Sequence, residues 1–183
     1  MSTKAASSFA KKKTRTTFAK TKPQPGVFKV AAIQMASGPN VAANLDEAER
    51  LIEMAVEQGA KLVALPEYFP VMGAKETDKV AVREEEGKGP IQRFLANQAK
   101  KHKIWLVGGS IPLEASTQKK VRNSCLVYDD KGKVVARYDK IHLFNLDLGN
   151  EHYHEEATIE PGKKIVTVDT PFGKLGLSIC YDL

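Results

Sequence analysis

VFKVAAIQMASGPNVAANLDEAERLIEMAVEQGAKLVALPE, residues 27–67, changes its hydrophobic period twice. Its first nine residues, VFKVAAIQM, are nearly all apolar and predict a buried strand. Asn44 then reads as a helix N-cap, with Glu47 three residues on completing a capping-box-like pair. Leu45, Ala48, Leu51, Ile52, Ala55 and Val56 form a stripe at helical spacing, and Gly59 stands where a helix stops. KLVAL (61–65) is a short apolar run, hence a second buried strand, and Pro66 ends it. Strand, helix and strand in this order make a β-α-β unit, which implies an α/β fold with a parallel sheet.

Further along, residues 70–89 read as loop with one helical turn around Asp78–Arg83. Pro90 sits at a helix start, and Ile91, Phe94 and Leu95 supply the buried face. IWLVGGSI (104–111) predicts another buried strand. NSCLVYDD and KVVARYDK flank a turn at Asp130–Gly132 and predict a β-hairpin. KIVTVDT and KLGLSIC flank Pro171-Phe172-Gly173 and predict a second one. Cys125 shares a strand face with Val127 and reads as core, as does Trp105 as a sheet-packing residue.

The chain has 183 residues, about one domain on a soft prior of roughly 150 residues each. With 42% hydrophobic and 27% charged residues it matches a globular composition and excludes a fibrous or wholly disordered one. No run approaches the roughly 18 apolar residues of a membrane span. Two cysteines cannot staple a secreted scaffold, so a reducing compartment and a cytoplasmic location are expected. The net charge of +6 invites a nucleic-acid partner. However, seven of the 28 bases lie in residues 1–24 with no acid, which leaves 21 bases against 22 acids in the body. Residues 1–26 are therefore expected to be a disordered basic arm before a near-neutral domain, and nucleic acid is not the expected partner. The arm's lack of acids keeps organellar targeting as an alternative location, although Lys outnumbers Arg there.

Ligands of α/β sheets gather at the carboxyl ends of strands. Glu67 follows KLVAL, Lys140 follows KVVARYD, and Cys180 ends KLGLSI. A carboxylate, an ammonium and a thiol there form a candidate general base, oxyanion holder and nucleophile. The four histidines show no metal-ligand spacing, and no metal or organic cofactor is expected. His142 reads as packed, and His152 and His154 as surface residues.

LPEYFP (65–70), YDKIHLF (138–144) and GLSICYDL (176–183) stand in this order. Together they resemble motifs of the nitrilase superfamily of carbon–nitrogen hydrolases. VAAIQMASGPNVAANLDEA (30–48) is similar to that family's first strand and helix, and PFGKLGLSICYD (171–182) to its nucleophile hairpin. The resemblance covers residues 27–183. It implies Glu67 as the general base, Lys140 as the catalytic lysine and Cys180 as the nucleophile. Upstream of the EPG turn at 160–162 it implies Glu155 as a second glutamate, with Glu156 the alternative alignment. Tyr68, Phe144 and Tyr181 adjoin these positions and are candidate substrate-binding residues; Phe69, beside Tyr68, is another aromatic neighbour. The implied reaction is hydrolysis of a small amide through a Cys thioester, with water as co-substrate. PEYFPVMG (66–73) and residues 78–113 look closest to the branch containing deaminated glutathione amidase and omega-amidase, whereas FNLDLGNEHYHEE (144–156) departs from it.

The family fold is a four-layer α-β-β-α sandwich, and its members continue well past the nucleophile. A sequence stopping at Leu183 reads as the N-terminal portion of such a domain, second half missing and inactive by itself. The complete protein would be a homodimer or larger. Two other function classes stand beside the amidase: a non-catalytic remnant that binds a ligand or subunit, and a polyanion-binding module led by the arm.

Overall fold

The structure, a computed structural model, describes residues 26–149 and 151–183. The basic arm read from residues 1–26 therefore lies outside the described residues, apart from Gly26.

β1 (Lys29–Ala32), α1 (Val41–Glu57) and β2 (Ala60–Ala64) form the β-α-β unit, and β1 pairs parallel with β2. The short turn α2 (Asp78–Ala81) and the helix α3 (Pro90–His102) follow, with Pro at the first turn of α3. β3 (Trp105–Val107) pairs parallel with β2. From there the sheet turns antiparallel. β5 (Val121–Tyr128) takes β3 and β4 (Ile111–Glu114) along one edge and β6 (Val134–Asp139) along the other. The six-stranded sheet is thus mixed where a parallel one was expected, because the later strands are joined by hairpin-length links and not by helices.

Ala48, Ile52 and Ala55 of α1 and Ile91, Leu95 and Ala99 of α3 pack on Val63, Leu106 and Leu126 of the sheet. Full burial of each Leu or Ile contributes about 1.5–3 kcal/mol. This face is the main core, and it covers one side of the sheet with a helical layer. Phe94 packs against it as predicted, and Phe69 is fully buried within it.

Three local expectations are corrected. β1 is an exposed edge strand, not a buried one, since only β2 pairs with it in the six-stranded sheet and Val30 is 60% exposed. Asn40, not Asn44, caps α1, accepting from the Ala43 N–H at 3.1 Å. Asn44 lies one turn inside the helix, buried, and Glu47 pairs with Arg50 on the surface instead of completing a box. IWLVGGSI is two strands, because the chain turns at Gly108-Gly109-Ser110 between β3 and β4.

Two ribbons stand apart from the main sheet. β7 (Asn145–Leu148) pairs antiparallel with β8 (Glu151–His154), a hairpin that sequence reading missed. β9 (Thr167–Thr170) pairs antiparallel with β10 (Gly173–Gly176), as predicted.

Candidate active site

Glu67 comes just after β2, and the residues around it are tied down on two sides. The Tyr68 N–H donates to Ser110 Oγ at 2.9 Å, and the Ser110 N–H to the Pro66 carbonyl at 3.3 Å. A Cβ at Gly109 would stand 2.1 Å from that carbonyl, and its φ is +59°, so this corner accepts only glycine. From the other side Ser37 Oγ donates to the Phe69 carbonyl, and the Asn44 amide to those of Gly38 and Pro70. The buried asparagine therefore pins the loop that carries Glu67.

Lys140 follows β6, as predicted, but it is no solvated strand end: its side chain is fully buried. Its N–H donates to the Asn123 carbonyl at 2.9 Å, and its own carbonyl accepts from Gly162 at 2.7 Å. The Lys140 Nζ lies 3.2 Å from Glu67 Oε1 and 3.0 and 2.9 Å from the two oxygens of Glu155. Burial pushes the ammonium down, but the hydrogen bond to Glu155 and the Glu67 charge outweigh it, and its pKa is raised. Lys140 therefore stays a cation at neutral pH.

Glu155 opens a 3₁₀ turn (Glu155–Ala157) just after the β7–β8 ribbon. The ribbon brings it back to Phe144, whose N–H donates to Glu155 Oε2 at 2.8 Å. Glu156 is exposed, so Glu155 is the glutamate that the structure brings to Lys140.

Cys180 does not end a strand. β10 stops at Gly176, and Cys180 starts a 3₁₀ turn (Cys180–Asp182) with φ +49°. Positive φ at a non-glycine residue costs of order 1–3 kcal/mol and clusters at functional sites. Burial pushes the thiol above its ordinary pKa, the Glu67 carboxylate pushes the same way, and Lys140 opposes them. The thiol is thus protonated at neutral pH and stands in the field of all three charged candidates.

Tyr68, also at positive φ (46°), lines a cavity of about 210 Å³ together with Glu67, Glu155, Lys75 and Lys79. Its hydroxyl is buried without a hydrogen-bond partner among the described residues. Burial, then the charges of Glu155, Glu67 and Glu76, hold that phenol well above its ordinary range. Phe144 and Tyr181 stack edge to face with centroids 5.5 Å apart. A larger cavity, about 400 Å³ between β1 and α1, is lined by no acid or thiol.

Cys125 is core, its thiol pushed up to about 12 by burial. Val127 is buried too, and Trp105 is half-buried in β3. His142 is not packed: its ring is 64% exposed and its Nδ1 lies 2.9 Å from Asp182 Oδ1. His154 is exposed beside Asp147, while the side chain of His152 lies outside the described residues. Among the described residues no group of three or more His, Cys, Asp or Glu could hold a metal ion.

Sequence reading missed Asn123. Fully buried on β5, it donates from Nδ2 to Glu67 Oε1 at 2.8 Å. The only sequence signal was the polar pair Asn123-Ser124 opening the run CLVY. Ser110 was missed for the same reason.

The family model for carbon–nitrogen hydrolases matches residues 29–183. The chain belongs to that family. It is 39% identical over 158 residues to nitrilase homolog 2 of Dictyostelium discoideum, covering 86% of this chain and 48% of that protein. It is 39% identical over 161 residues to a deaminated glutathione amidase of Synechocystis, covering 85% and 58%. The crystal structure of Saccharomyces cerevisiae Nit3, described as a member of branch 10 of the nitrilase superfamily, superposes with a TM-score of 0.73 at 36% identity, covering 85% of this chain and 56% of that one. The fold is therefore the nitrilase type, and the chain spans about half the length of the curated relatives it matches.

Proposed function

We propose that the protein hydrolyses the C–N bond of a small amide through a thioester on Cys180. The observation that carries this reading is the buried Lys140 cation held between Glu67 and Glu155, with the Cys180 thiol beside Glu67. The raised thiol pKa demands a base, and Glu67 is the carboxylate next to it. Glu67 takes the thiol proton as sulfur attacks the amide carbonyl. Lys140, with the N–H of Tyr181, holds the oxyanion. The C–N bond breaks, Glu67 returns the proton to the departing ammonia, and the acyl group stays on sulfur. Water then attacks the thioester, giving its proton to Glu67; the C–S bond breaks and the proton returns to the thiol. Glu155 orients Lys140 throughout.

Relatives described as omega-amidase or deaminated glutathione amidase support a small ω-amide or deaminated glutathione as substrate. Tyr68, Phe144 and Tyr181 would shape the acyl pocket. The same reading carries a homodimer or larger assembly and a cytoplasmic location. Ammonia release by the full-length protein, assayed on ω-amides, deaminated glutathione and simple aliphatic amides, tests it. Cys180→Ala is expected to lower release at least about a thousandfold. Normal release by that variant would overturn the mechanism.

A further inference from the structure

The turn that carries Cys180 and the loop that carries Lys140 come from different sheets. β9 and β10 form a ribbon of their own, whereas Lys140 leaves β6 of the six-stranded sheet. One carboxylate joins them. Asp182 Oδ1 accepts from the N–H groups of His142 at 2.9 Å and Ile141 at 3.3 Å, and it lies 2.9 Å from His142 Nδ1. Oδ2 accepts from the Tyr138 hydroxyl at 2.5 Å and the Ile179 N–H at 2.9 Å. The side chain is only 4% exposed, so these donors are what makes a buried charge tolerable.

The pattern of partners tells a local cap from a clasp. Capping the turn needs only the Ile179 N–H. The remaining partners, Tyr138, Ile141 and His142, all lie within two residues of Lys140. Ile179 and Asp182 themselves bracket Cys180. Beneath them, Tyr138 and Ile179 pack together with Cys125, and Ile141 and Leu177 close the cluster.

We propose that Asp182 is a positioning residue for the amide hydrolysis: it clasps the nucleophile turn onto the end of β6 and so sets the thiol of Cys180 against the ammonium of Lys140. This deepens the amidase reading and rests on it for the kinetic readout alone. A displacement of about 1 Å between reacting groups costs roughly a hundredfold in rate, so a clasp at this place acts on turnover more than on binding.

Asp182→Asn and Tyr138→Phe in the full-length protein test the clasp. The amide nitrogen of Asn turns an N–H toward a group that itself donates. Phe removes one donor and keeps the ring that packs on Ile179. Rates are expressed per mole of protein whose buried Cys125 resists iodoacetamide, which removes any misfolded fraction. We expect kcat to fall about 10- to 100-fold in Asp182→Asn and about 3- to 10-fold in Tyr138→Phe, with KM within about twofold. The double variant should fall no further than Asp182→Asn, because both changes open one clasp. Unchanged kcat per folded molecule would reduce Asp182 to a folding role and overturn the proposal.

A second readout needs no turnover. Glu67, Lys140 and Glu155 face the thiol, and burial with Glu67 holds it above its ordinary value. Releasing the turn frees the thiol from that setting, so the pH midpoint of Cys180 alkylation should move downward in Tyr138→Phe, which opens the clasp without removing a charge, as well as in Asp182→Asn. Mass spectrometry assigns the label, and Cys125, buried and pushed up to about 12, does not compete. An unchanged midpoint overturns the clasp whatever the turnover. Absence of ammonia release from the parent protein overturns the amidase reading instead, and the alkylation midpoint still decides the role of Asp182.

Discussion

Two donors, the Asn123 amide and the Lys140 ammonium, meet on the same oxygen of Glu67. Neither engages the other oxygen, which is then the one available to a thiol proton. Charge at this site is managed chiefly by neighbours, and the same holds for Asp182. Burial pushes its carboxyl up, but hydrogen bonds from Tyr138 and from the His142 and Ile179 N–H groups prevail, and its pKa lies below the ordinary Asp value. A depressed folded-state pKa contributes stability above the unfolded value of about 3.9 and loses it as pH falls through the folded one. The stability difference between the parent protein and Asp182→Asn should therefore be largest near neutral pH and shrink below about pH 4. Urea unfolding across that range measures it, and a difference independent of pH would contradict the assignment.

Among the elements, α1 shows how a correct helix can carry a misplaced start. Its apolar stripe was legible because a 3.6-residue period survives any context. Its cap was not, because Asn40 and Asn44 are both good capping residues one turn apart. Only the loop at Gly38 and the carbonyl of Pro70 show that Asn44 is spent on tertiary contacts. The two positions should respond differently. Asn40→Ala loses one cap, about 1 kcal/mol. Asn44→Ala leaves the Gly38 N–H and the Pro70 carbonyl unpaired, while the Gly38 carbonyl keeps the Met72 N–H, and it should cost more, since each unsatisfied group costs about 1–3 kcal/mol. Thermal unfolding of the two variants ranks them, and equal losses would contradict this account. The β3–β4 corner is similar. IWLVGGSI looks continuous, yet the approach of Gly109 to Pro66 breaks it and, through Ser110, sets the backbone beside Glu67. The β7–β8 ribbon was half legible: FNLDL alternates apolar and polar residues and Gly149-Asn150 is a turn signal, but EHYH holds one apolar residue and marks no strand; without the ribbon Glu155 and Phe144 have no reason to meet.

At the scale of the whole molecule the charge is divided unevenly. Residues 1–24 hold seven bases and no acid, while the body has 21 bases and 22 acids. Deleting residues 1–24 should abolish salt-sensitive retention on a polyanion column and leave ammonia release per Cys180 unchanged. Loss of turnover would tie the arm to the site. The sheet itself joins two of the three candidate residues: β2 delivers Glu67 and β6 delivers Lys140, and β5 supplies the asparagine between them.

Sequence alone determined the elements with strong periods, the β-α-β start and both predicted hairpins, and its motif resemblance pointed to Glu67, Lys140 and Cys180 as candidates. These depend on local order: residue spacing and short runs of neighbours. The tertiary structure decided the rest, including which asparagine caps α1 and which glutamate reaches Lys140. It also brought Asn123 to Glu67 and Asp182 to the loop after Lys140. Those contacts join residues well apart in the chain through one or a few hydrogen bonds each. Such a contact leaves no period in the sequence, because only the packing of strands and ribbons creates it.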